Sequence, residues 1–256
     1  MIEVVHLIKK YGSFEAVRDI SLSIVKGEVY GFIGPNGAGK TTTISIMGGI
    51  LAPTSGTVRI CGIDMAEEPE AAKMRIGFIP DRPYLYEKLT AMEFLKFTAD
   101  LYHMDKSIFV KKAEELLGLF SLEAWGDHLI ESFSHGMKQR LIMVGALLHQ
   151  PEVLVVDEPM VGLDPRGQKM VKGLFRNLAE NGVTIFMSTH TLSVAEEVCD
   201  RVGVIHEGRL IATGSIEDLH LQAGTDRSDL EEVFLRLTQE SEEPFSEGSR
   251  GQGVKA

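Results

Sequence analysis

The sequence predicts an α/β fold with a largely parallel sheet. Short β-branched segments open the chain, a helical block follows, and strands then return with a helix between them. The chain has 256 residues, of which 44% are hydrophobic and 25% charged, as in an ordinary globular protein. This length can bury a sizeable core, either in one large domain or in one domain with a subdomain.

The first half of the chain supplies five predicted strands and most of the helical block. The strands lie at residues 2–8, 17–25, 29–33, 56–60 and 76–79, where β-branched and apolar residues cluster. Between residues 90 and 150 apolar side chains recur at helical spacing instead, which predicts a helical insertion. The apolar residues of this pattern are Phe94, Leu95, Phe97, Leu101, Ala113, Leu116, Leu117 and Phe120.

The second half returns to strands. Segments 153–156 and 183–187 are predicted strands on either side of a helix at residues 170–178. Two more strands are predicted at 202–205 and 210–212, and an amphipathic helix at 230–237. The domain is therefore expected to end at residue 237, and the Ser-, Glu- and Gly-rich residues 238–256 are expected to form a disordered tail.

Composition excludes several classes of function. The net charge of −11 argues against a general nucleic-acid binder. Cys61 and Cys199 lack the spacing of a metal or redox site and are expected to be buried thiols.

The first residues lack the layout of a signal peptide, and no apolar run approaches the roughly 20 residues that cross a bilayer. Any role at a membrane is therefore expected to depend on a partner protein.

A phosphate-binding loop is predicted at residues 34–41, GPNGAGKT, between a strand and a helical stretch at residues 42–51. Glycines let backbone amides converge on phosphate oxygens where a Cβ would intrude, and the helix N-terminus adds partial positive charge. Lys40 can bridge phosphate oxygens, and the Thr41 hydroxyl can reach Mg²⁺. The pattern indicates a nucleoside triphosphate as ligand.

Two later strands end in residues suited to phosphate chemistry. The strand at 153–156 runs into Asp157 and Glu158, at the edge where parallel sheets bind ligands. Asp157 can hold Mg²⁺ through water, and Glu158 can orient or deprotonate the water that attacks the γ-phosphorus. The strand at 183–187 leads to His190, whose imidazole could reach the γ-phosphate.

The segment SFSHGMKQR at residues 132–140 reads as a helix start with Ser134 as its N-cap. His135 and Gly136 are poor helix formers for a first turn. A Ser hydroxyl and free amides at a helix N-terminus do suit a triphosphate, however, because such a terminus attracts anions.

In the order and local sequence of these motifs, residues 1–237 resemble the ATP-binding cassette (ABC) family of transporter ATPases. GPNGAGKTT is similar to its Walker A motif, VLVVDEP at 153–159 to Walker B, and STH at 188–190 to the switch segment. VGLDP at 161–165 looks like the D-loop, which carries Asp164 toward a partner subunit. The resemblance implies a P-loop NTPase core with a mostly parallel sheet, an N-terminal antiparallel β subdomain and a helical subdomain at about 90–150.

The resemblance also assigns site residues. It implies that Tyr11 stacks on adenine and that Ser134 and Gly136 contact ATP held by an opposing subunit. The expected catalytic residues are Glu158, His190, Lys40 and Asp81, and the expected Mg²⁺ ligands are Thr41, Asp81 and Asp157. The expected nucleotide-binding residues are Tyr11, Val17, Gly34, Pro35, Asn36, Gly37, Ala38, Gly39, Lys40, Thr41, Thr42, Ser134 and Gly136.

Two motifs depart from the family pattern. Asp81 stands where a Gln or sometimes a Glu is usual, and its side chain is shorter by about 1.5 Å, one bond, so a bridging water is expected between it and Mg²⁺. The signature segment, residues 132–140, has His135 and Met137 where the family has Gly and Gln. His135 is either a tolerated variant at a solvent-facing position or a pH-sensitive group near phosphates.

The resemblance implies an ATP-hydrolysing subunit that uses ATP and Mg²⁺, pairs with a second cassette and drives a transmembrane permease from the cytoplasmic face. Export is favoured over import. Tyr84 and Tyr86 are expected either to dock the permease or to pack inward. Alternatives left open are a soluble ATPase acting on DNA or ribosomes, an inactive chain and a regulatory cassette in a heterodimer.

Overall fold

We describe a computed structural model of the chain, which covers residues 1–82, 84–224 and 230–240. The strands are β1 (Ile2–Tyr11), β2 (Phe14–Ile24), β3 (Val29–Ile33), β4 (Ser55–Ile60), β5 (Ile63–Asp64), β6 (Ile76–Ile79), β7 (Val153–Asp157), β8 (Thr184–Thr189), β9 (Arg201–His206) and β10 (Arg209–Gly214). The helices are α1 (Lys40–Met47), α2 (Pro69–Lys73), α3 (Ala91–Leu101), α4 (Lys106–Leu119), α5 (His135–Leu148), α6 (Pro165–Glu180), α7 (Leu192–Val198), α8 (Ile216–Gln222) and α9 (Leu230–Glu240).

The strands form two sheets. The first is antiparallel, with the order β2-β1-β4-β5. The second has the order β10-β9-β3-β8-β7-β6, and its pairs are parallel except for β9 with β10. Helices α3, α4 and α5 lie between β6 and β7 in the chain. The predicted α/β class, with its antiparallel β subdomain and helical insertion, is therefore confirmed.

The core lies on both faces of the parallel sheet, and β7 shows why. Leu154 and Val156 belong to a core shared with helices α3–α7, whereas Val153 and Val155 belong to one shared with α1 and the antiparallel sheet. Alternate side chains of a strand point to opposite faces, so a strand covered on both sides must be apolar throughout. Burial on both faces fixes the position of β7. It therefore also fixes the position of Asp157, the last residue of the strand, and of Glu158, which follows it.

Several sequence predictions are corrected in detail. Strand β1 runs three residues beyond the predicted end, and α1 begins at Lys40 rather than Thr42. Helix α9 extends to Glu240, so residues 238–240 are not part of a tail, and residues 241–256 lie outside the described residues. Cys199 is buried, as expected, but Cys61 is only half-buried. Within the described parts of the chain, none of the helices is long and apolar enough to cross a bilayer.

Candidate functional site

The loop at residues 34–39 joins the buried strand β3 to the start of α1, as predicted. Gly39 occupies the N-cap position of α1 with φ +108°, and no side chain caps this helix start. A Cβ on Gly39 would lie 2.5 Å from the carbonyl oxygen of Ala16, so both the backbone angle and the space require glycine. The uncapped amides of the first turn are therefore open to an anion.

Lys40 is held inside this loop. Its Nζ donates to the carbonyl oxygens of Gly34 at 2.7 Å and Pro35 at 3.2 Å, and the residue is only 7% exposed. Burial lowers the pKa of Lys40, and the nearby carboxylates of Glu158 and Asp157 partly oppose this effect. A bound phosphate would add negative charge beside the ammonium and so stabilise its charged form.

Asp157 ends β7 beside Ser188 of β8, its partner in the sheet register. The Ser188 hydroxyl donates to the Asp157 carboxylate, which is 4% exposed. Burial raises the pKa of Asp157, while hydrogen bonds from the Ser188 and Thr41 hydroxyls lower it. A buried carboxylate next to a threonine hydroxyl offers the oxygen donors that Mg²⁺ prefers, with water completing the shell. The donor set therefore fits this ion.

Glu158 and His190 face each other across the same edge of the sheet. His190 Nδ1 lies 2.9 Å from Glu158 Oε1, and the backbone N–H of His190 donates to Oε2 at 3.4 Å. The backbone of Glu158 has φ +50°, which is uncommon for a residue other than glycine. The carboxylate is thus held in a fixed direction by the histidine, with its side chain 15% exposed.

A cavity of about 450 Å³ collects most of the predicted residues. Its lining consists of Tyr11, Phe14, Ala16, Asn36, Gly37, Gly39, Lys40, Thr41, Thr42, Asp81, Glu158, Val161 and His190. Gly34, Pro35 and Ala38 complete the loop without lining the cavity. The lining thus combines a half-exposed aromatic ring, Tyr11, with the carboxylates of Asp81 and Glu158.

Val17, predicted to bind nucleotide, does not line this cavity and is completely buried in the core beneath the antiparallel sheet. Ala16 and Phe14 line the cavity instead. The register between β1 and β2 is irregular near Lys9, which changes the side chains that point outward. A prediction that assumes strict alternation along each strand does not reveal such bulges.

Phe14 lines the cavity but was not among the residues predicted from the sequence. It pairs with Tyr11 across the β1–β2 hairpin, and its side chain is 59% exposed, an unusual position for so large an apolar ring. The signal available in the sequence was the spacing Tyr-Gly-Ser-Phe, which puts two aromatic residues at the two ends of one tight turn.

Ser134 and Gly136 do not join this first cavity. They line a second one, of about 500 Å³, together with residues 162–164 and the side chains of Arg140 and Arg166. Ser134 caps α5, its hydroxyl accepting from Met137 N–H at 3.3 Å. Arg140 donates to the carbonyl oxygens of Phe120 at 2.9 Å and Gly136 at 3.3 Å, which steadies the first turn. The chain therefore carries two separate groups of predicted site residues.

Tyr84 and Tyr86 lie outside both cavities. They are 80% and 61% exposed, so the expectation that they pack inward is wrong. Tyr86 meets Phe97 of α3 edge to face, with 5.7 Å between the ring centroids. Exposed aromatic rings beside a helix are typical of an interface.

Comparison with known proteins adds independent information. The family model described as ABC transporter matches residues 17–161. The chain is 38% identical to the linearmycin resistance ATP-binding protein LnrL of Bacillus subtilis (strain 168), over 92% of this chain and 78% of LnrL. It is 42% identical to the bacitracin transport ATP-binding protein BcrA of Bacillus licheniformis, over 82% of this chain and 68% of BcrA.

Solved structures match over a similar extent. A structure described as the ATP binding subunit of an ABC transporter has a TM-score of 0.89 and 34% identity, covering 93% of this chain and 99% of that one. The dimeric structure of MJ0796, a bacterial ABC transporter cassette, has a TM-score of 0.78 and 27% identity, covering 84% of this chain and 99% of that one.

Proposed function

The chain belongs to the ABC transporter family as an ATP-binding subunit, and from this premise we propose how its residues bind and hydrolyse ATP. The base stacks on Tyr11 with Phe14 beside it, and the phosphates lie in the loop at residues 34–39 against Lys40. The observation that carries this assignment is the cavity itself, whose lining includes two aromatic rings, residues of the phosphate loop and the carboxylate of Glu158.

Hydrolysis is assigned to Glu158. Its carboxylate orients the attacking water and accepts its proton, while His190 keeps the carboxylate aimed at the γ-phosphate position. The bond that breaks joins the γ-phosphorus to the β–γ bridging oxygen, and the products are ADP and inorganic phosphate. Lys40 stabilises the negative charge on the phosphate oxygens during this step.

Mg²⁺ fits the oxygen donors of Thr41 and Asp157, and Asp81 lines the same cavity as Thr41. When bound, it neutralises charge on the β- and γ-phosphates. The raised pKa of buried Asp157 supports this role, because a cation beside the carboxylate would stabilise its charged form.

Two chains are proposed to pair head to tail, so that Ser134 and Gly136 of one chain close the nucleotide cavity of the other. The separation of the two groups of residues into two cavities supports this arrangement, since one chain does not bring them together. The dimeric cassette among the similar structures supports it as well. ATP then holds the pair closed, and hydrolysis releases it.

A membrane permease at the cytoplasmic face is the proposed partner, docking at Tyr84 and Tyr86. Their exposure supports this assignment. Export of an antimicrobial or drug-like compound is the proposed direction, supported by the linearmycin resistance and bacitracin transport proteins among the relatives. The relatives favour a transporter over the alternative of an ATPase acting on DNA or ribosomes.

The test is the variant Glu158→Gln, which keeps the shape of the side chain but cannot accept a proton. We expect phosphate release to fall by about 10²-fold or more, since general-base catalysis contributes on this scale. ATP should then trap a dimer that size-exclusion chromatography detects. Unchanged phosphate release would contradict the assignment of the base. Recovery of no permease with the tagged chain from gentle detergent would contradict the proposed partner.

A further inference from the structure

His135, the first residue of α5, lies directly over Gly162 in the loop that follows β7. A Cβ placed on Gly162 would lie 2.3 Å from His135 Cδ2 and 2.6 Å from Nε2. The next nearest atom, at 3.6 Å, also belongs to the same imidazole. The ring therefore covers the α-carbon of Gly162 so closely that it excludes even a methyl group.

The covered loop, residues 161–164, is also held from its own side by hydrogen bonds. Val161 N–H donates to Glu158 O at 3.2 Å, and Leu163 N–H donates to Met160 O at 3.4 Å. Asp164 is the N-cap of α6, and its carboxylate accepts from Gly167 N–H at 2.8 Å. Gly162, between these positions, has φ +78° and is exposed. Packing by His135 thus adds a contact from the helical insertion at Gly162 itself.

We propose that His135 is a positioning residue that holds this loop against the start of α5. Ser134 and residues 162–164 line one cavity, so the imidazole makes them a single unit. The hydrogen bond from Val161 N–H to the backbone carbonyl of Glu158 then ties this unit to the residue that carries the catalytic carboxylate of the same chain. The proposal rests on the proposed function, because that unit would meet the nucleotide bound by the partner chain.

The imidazole acts through its shape. Among the residues that the structure describes, no hydrogen bond or ion pair involves the His135 side chain, and the contact with Gly162 is a packing contact. Phenylalanine has a flat ring of comparable size, so His135→Phe should keep the loop in place, whereas His135→Gly removes the contact. If the role of His135 depended on a proton, His135→Phe would be as defective as His135→Gly, because phenylalanine does not titrate.

Amide hydrogen exchange on the full-length chain tests the contact without requiring turnover. In His135→Gly, exchange within residues 160–164 should accelerate about fivefold, the effect of losing one packing contact. The turnover number for ATP should fall by a similar factor. The dissociation constant of ATP for the single chain should rise by less than this factor, because Val161 of the loop lines the first cavity but His135 does not.

Gly162→Ala provides the complementary change. Alone it should lower turnover, because the new methyl group both strains the backbone at φ +78° and displaces the imidazole. In the double variant with His135→Gly, turnover should be about fivefold higher than the product of the two single effects predicts, because both changes disrupt the same contact. Gly62→Ala is the matched control for strain, since Gly62 has φ +81° and nothing within 4 Å of the added Cβ.

Several outcomes would overturn the inference. They are unchanged exchange in His135→Gly, a His135→Phe variant as defective as His135→Gly, and strictly multiplicative effects of His135→Gly and Gly162→Ala. If the unmodified chain hydrolyses no ATP, the proposed function fails, but the exchange rates of residues 160–164 still decide whether His135 holds the loop.

Discussion

At the hairpin joining β1 and β2, two aromatic side chains face one cavity, and each should contribute to nucleotide affinity. Stacking of a base on an aromatic ring is worth about 1–3 kcal/mol. Tyr11→Ala should therefore raise the dissociation constant of ATP about tenfold, and Phe14→Ala by about threefold to tenfold, in isothermal titration calorimetry. Lys9 Nζ lies 5.3 Å from the Tyr11 centroid and should hold that ring in place.

Tripolyphosphate is the control for this prediction, because it has phosphates and no base. Its affinity should be the same for the unmodified chain and both alanine variants. If Phe14→Ala leaves ATP binding unchanged, the base contacts Tyr11 alone, and Phe14 is exposed for another reason.

The residues predicted correctly and incorrectly differ in what determines their position. Residues 34–41 and Asp157–Glu158 were predictable because a turn or strand end fixes each of them within a few residues. Val17 and Phe14 were not, because the register irregularities between β1 and β2 decide which side chains reach the cavity. Such shifts depend on a partner strand rather than on local sequence.

Among the elements, α5 begins at a serine that has two separable roles. Ser134→Ala removes the N-cap and should lower the free energy of unfolding by about 1 kcal/mol. It should also lower ATP hydrolysis, since the hydroxyl faces the second cavity. Ser215→Ala is the matched control, because Ser215 caps α8 in the same way but lines neither cavity. Urea unfolding and phosphate release measure the two effects.

If Ser215→Ala lowered hydrolysis as much as Ser134→Ala, loss of stability alone would explain both. Equal stability losses with a loss of hydrolysis only in Ser134→Ala would support a contact with nucleotide.

The C-cap residue of α5 is a half-buried histidine that should make stability depend on pH. His149 stacks on Tyr102 with 3.6 Å between centroids, its Nε2 lies 3.0 Å from Ile76 O, and its buried Nδ1 has no hydrogen-bond partner. Burial lowers the pKa of His149 to about 4, although the hydrogen bond to Ile76 opposes this. The folded protein thus keeps this imidazole neutral over a range where the unfolded chain binds a proton.

The sign follows from linkage. Above about pH 6.5 both states are neutral and His149 has no effect, whereas between about pH 6.5 and 4 protonation favours the unfolded chain. The contribution should lower the free energy of unfolding by about 2 kcal/mol at pH 4.5 relative to pH 7.5. His149→Phe keeps the ring but not the titration, so its stability should fall less over this range in urea unfolding. If the unmodified chain and His149→Phe lost the same free energy of unfolding between pH 7.5 and 4.5, His149 would not be the cause of the pH dependence.

Short elements were the hardest to predict. Helices α2, α7 and α8 have five to seven residues, too few to show a helical period in sequence. They form because they pack against larger elements, as α8 does through buried Leu219. The long helices of the insertion were predictable, since α4 and α5 each repeat their apolar positions over 14 residues.

In the whole molecule, the two cavities make a complementation experiment possible. Lys40→Ala disables the first cavity and Ser134→Arg blocks the second, so each variant alone should hydrolyse almost no ATP. After random mixing, half of the dimers are heterodimers. Each heterodimer has one intact composite site, in which Lys40 comes from one chain and Ser134 from the other. One of its two sites is therefore active, and the mixture should recover about a quarter of full activity. Phosphate release after mixing measures this, and no recovery would contradict head-to-tail pairing.

The placement of Ser134 and Lys40 in different cavities also has a kinetic consequence. With the proposed head-to-tail pairing, a single chain does not complete its own site. Free chains would have to meet by diffusion, and hydrolysis at low concentration should rise with the square of total protein. A partner that holds two chains side by side replaces this encounter with an effective concentration that can reach the millimolar range. Assembly on a permease would then keep ATP from being consumed by cassettes that have nothing to transport.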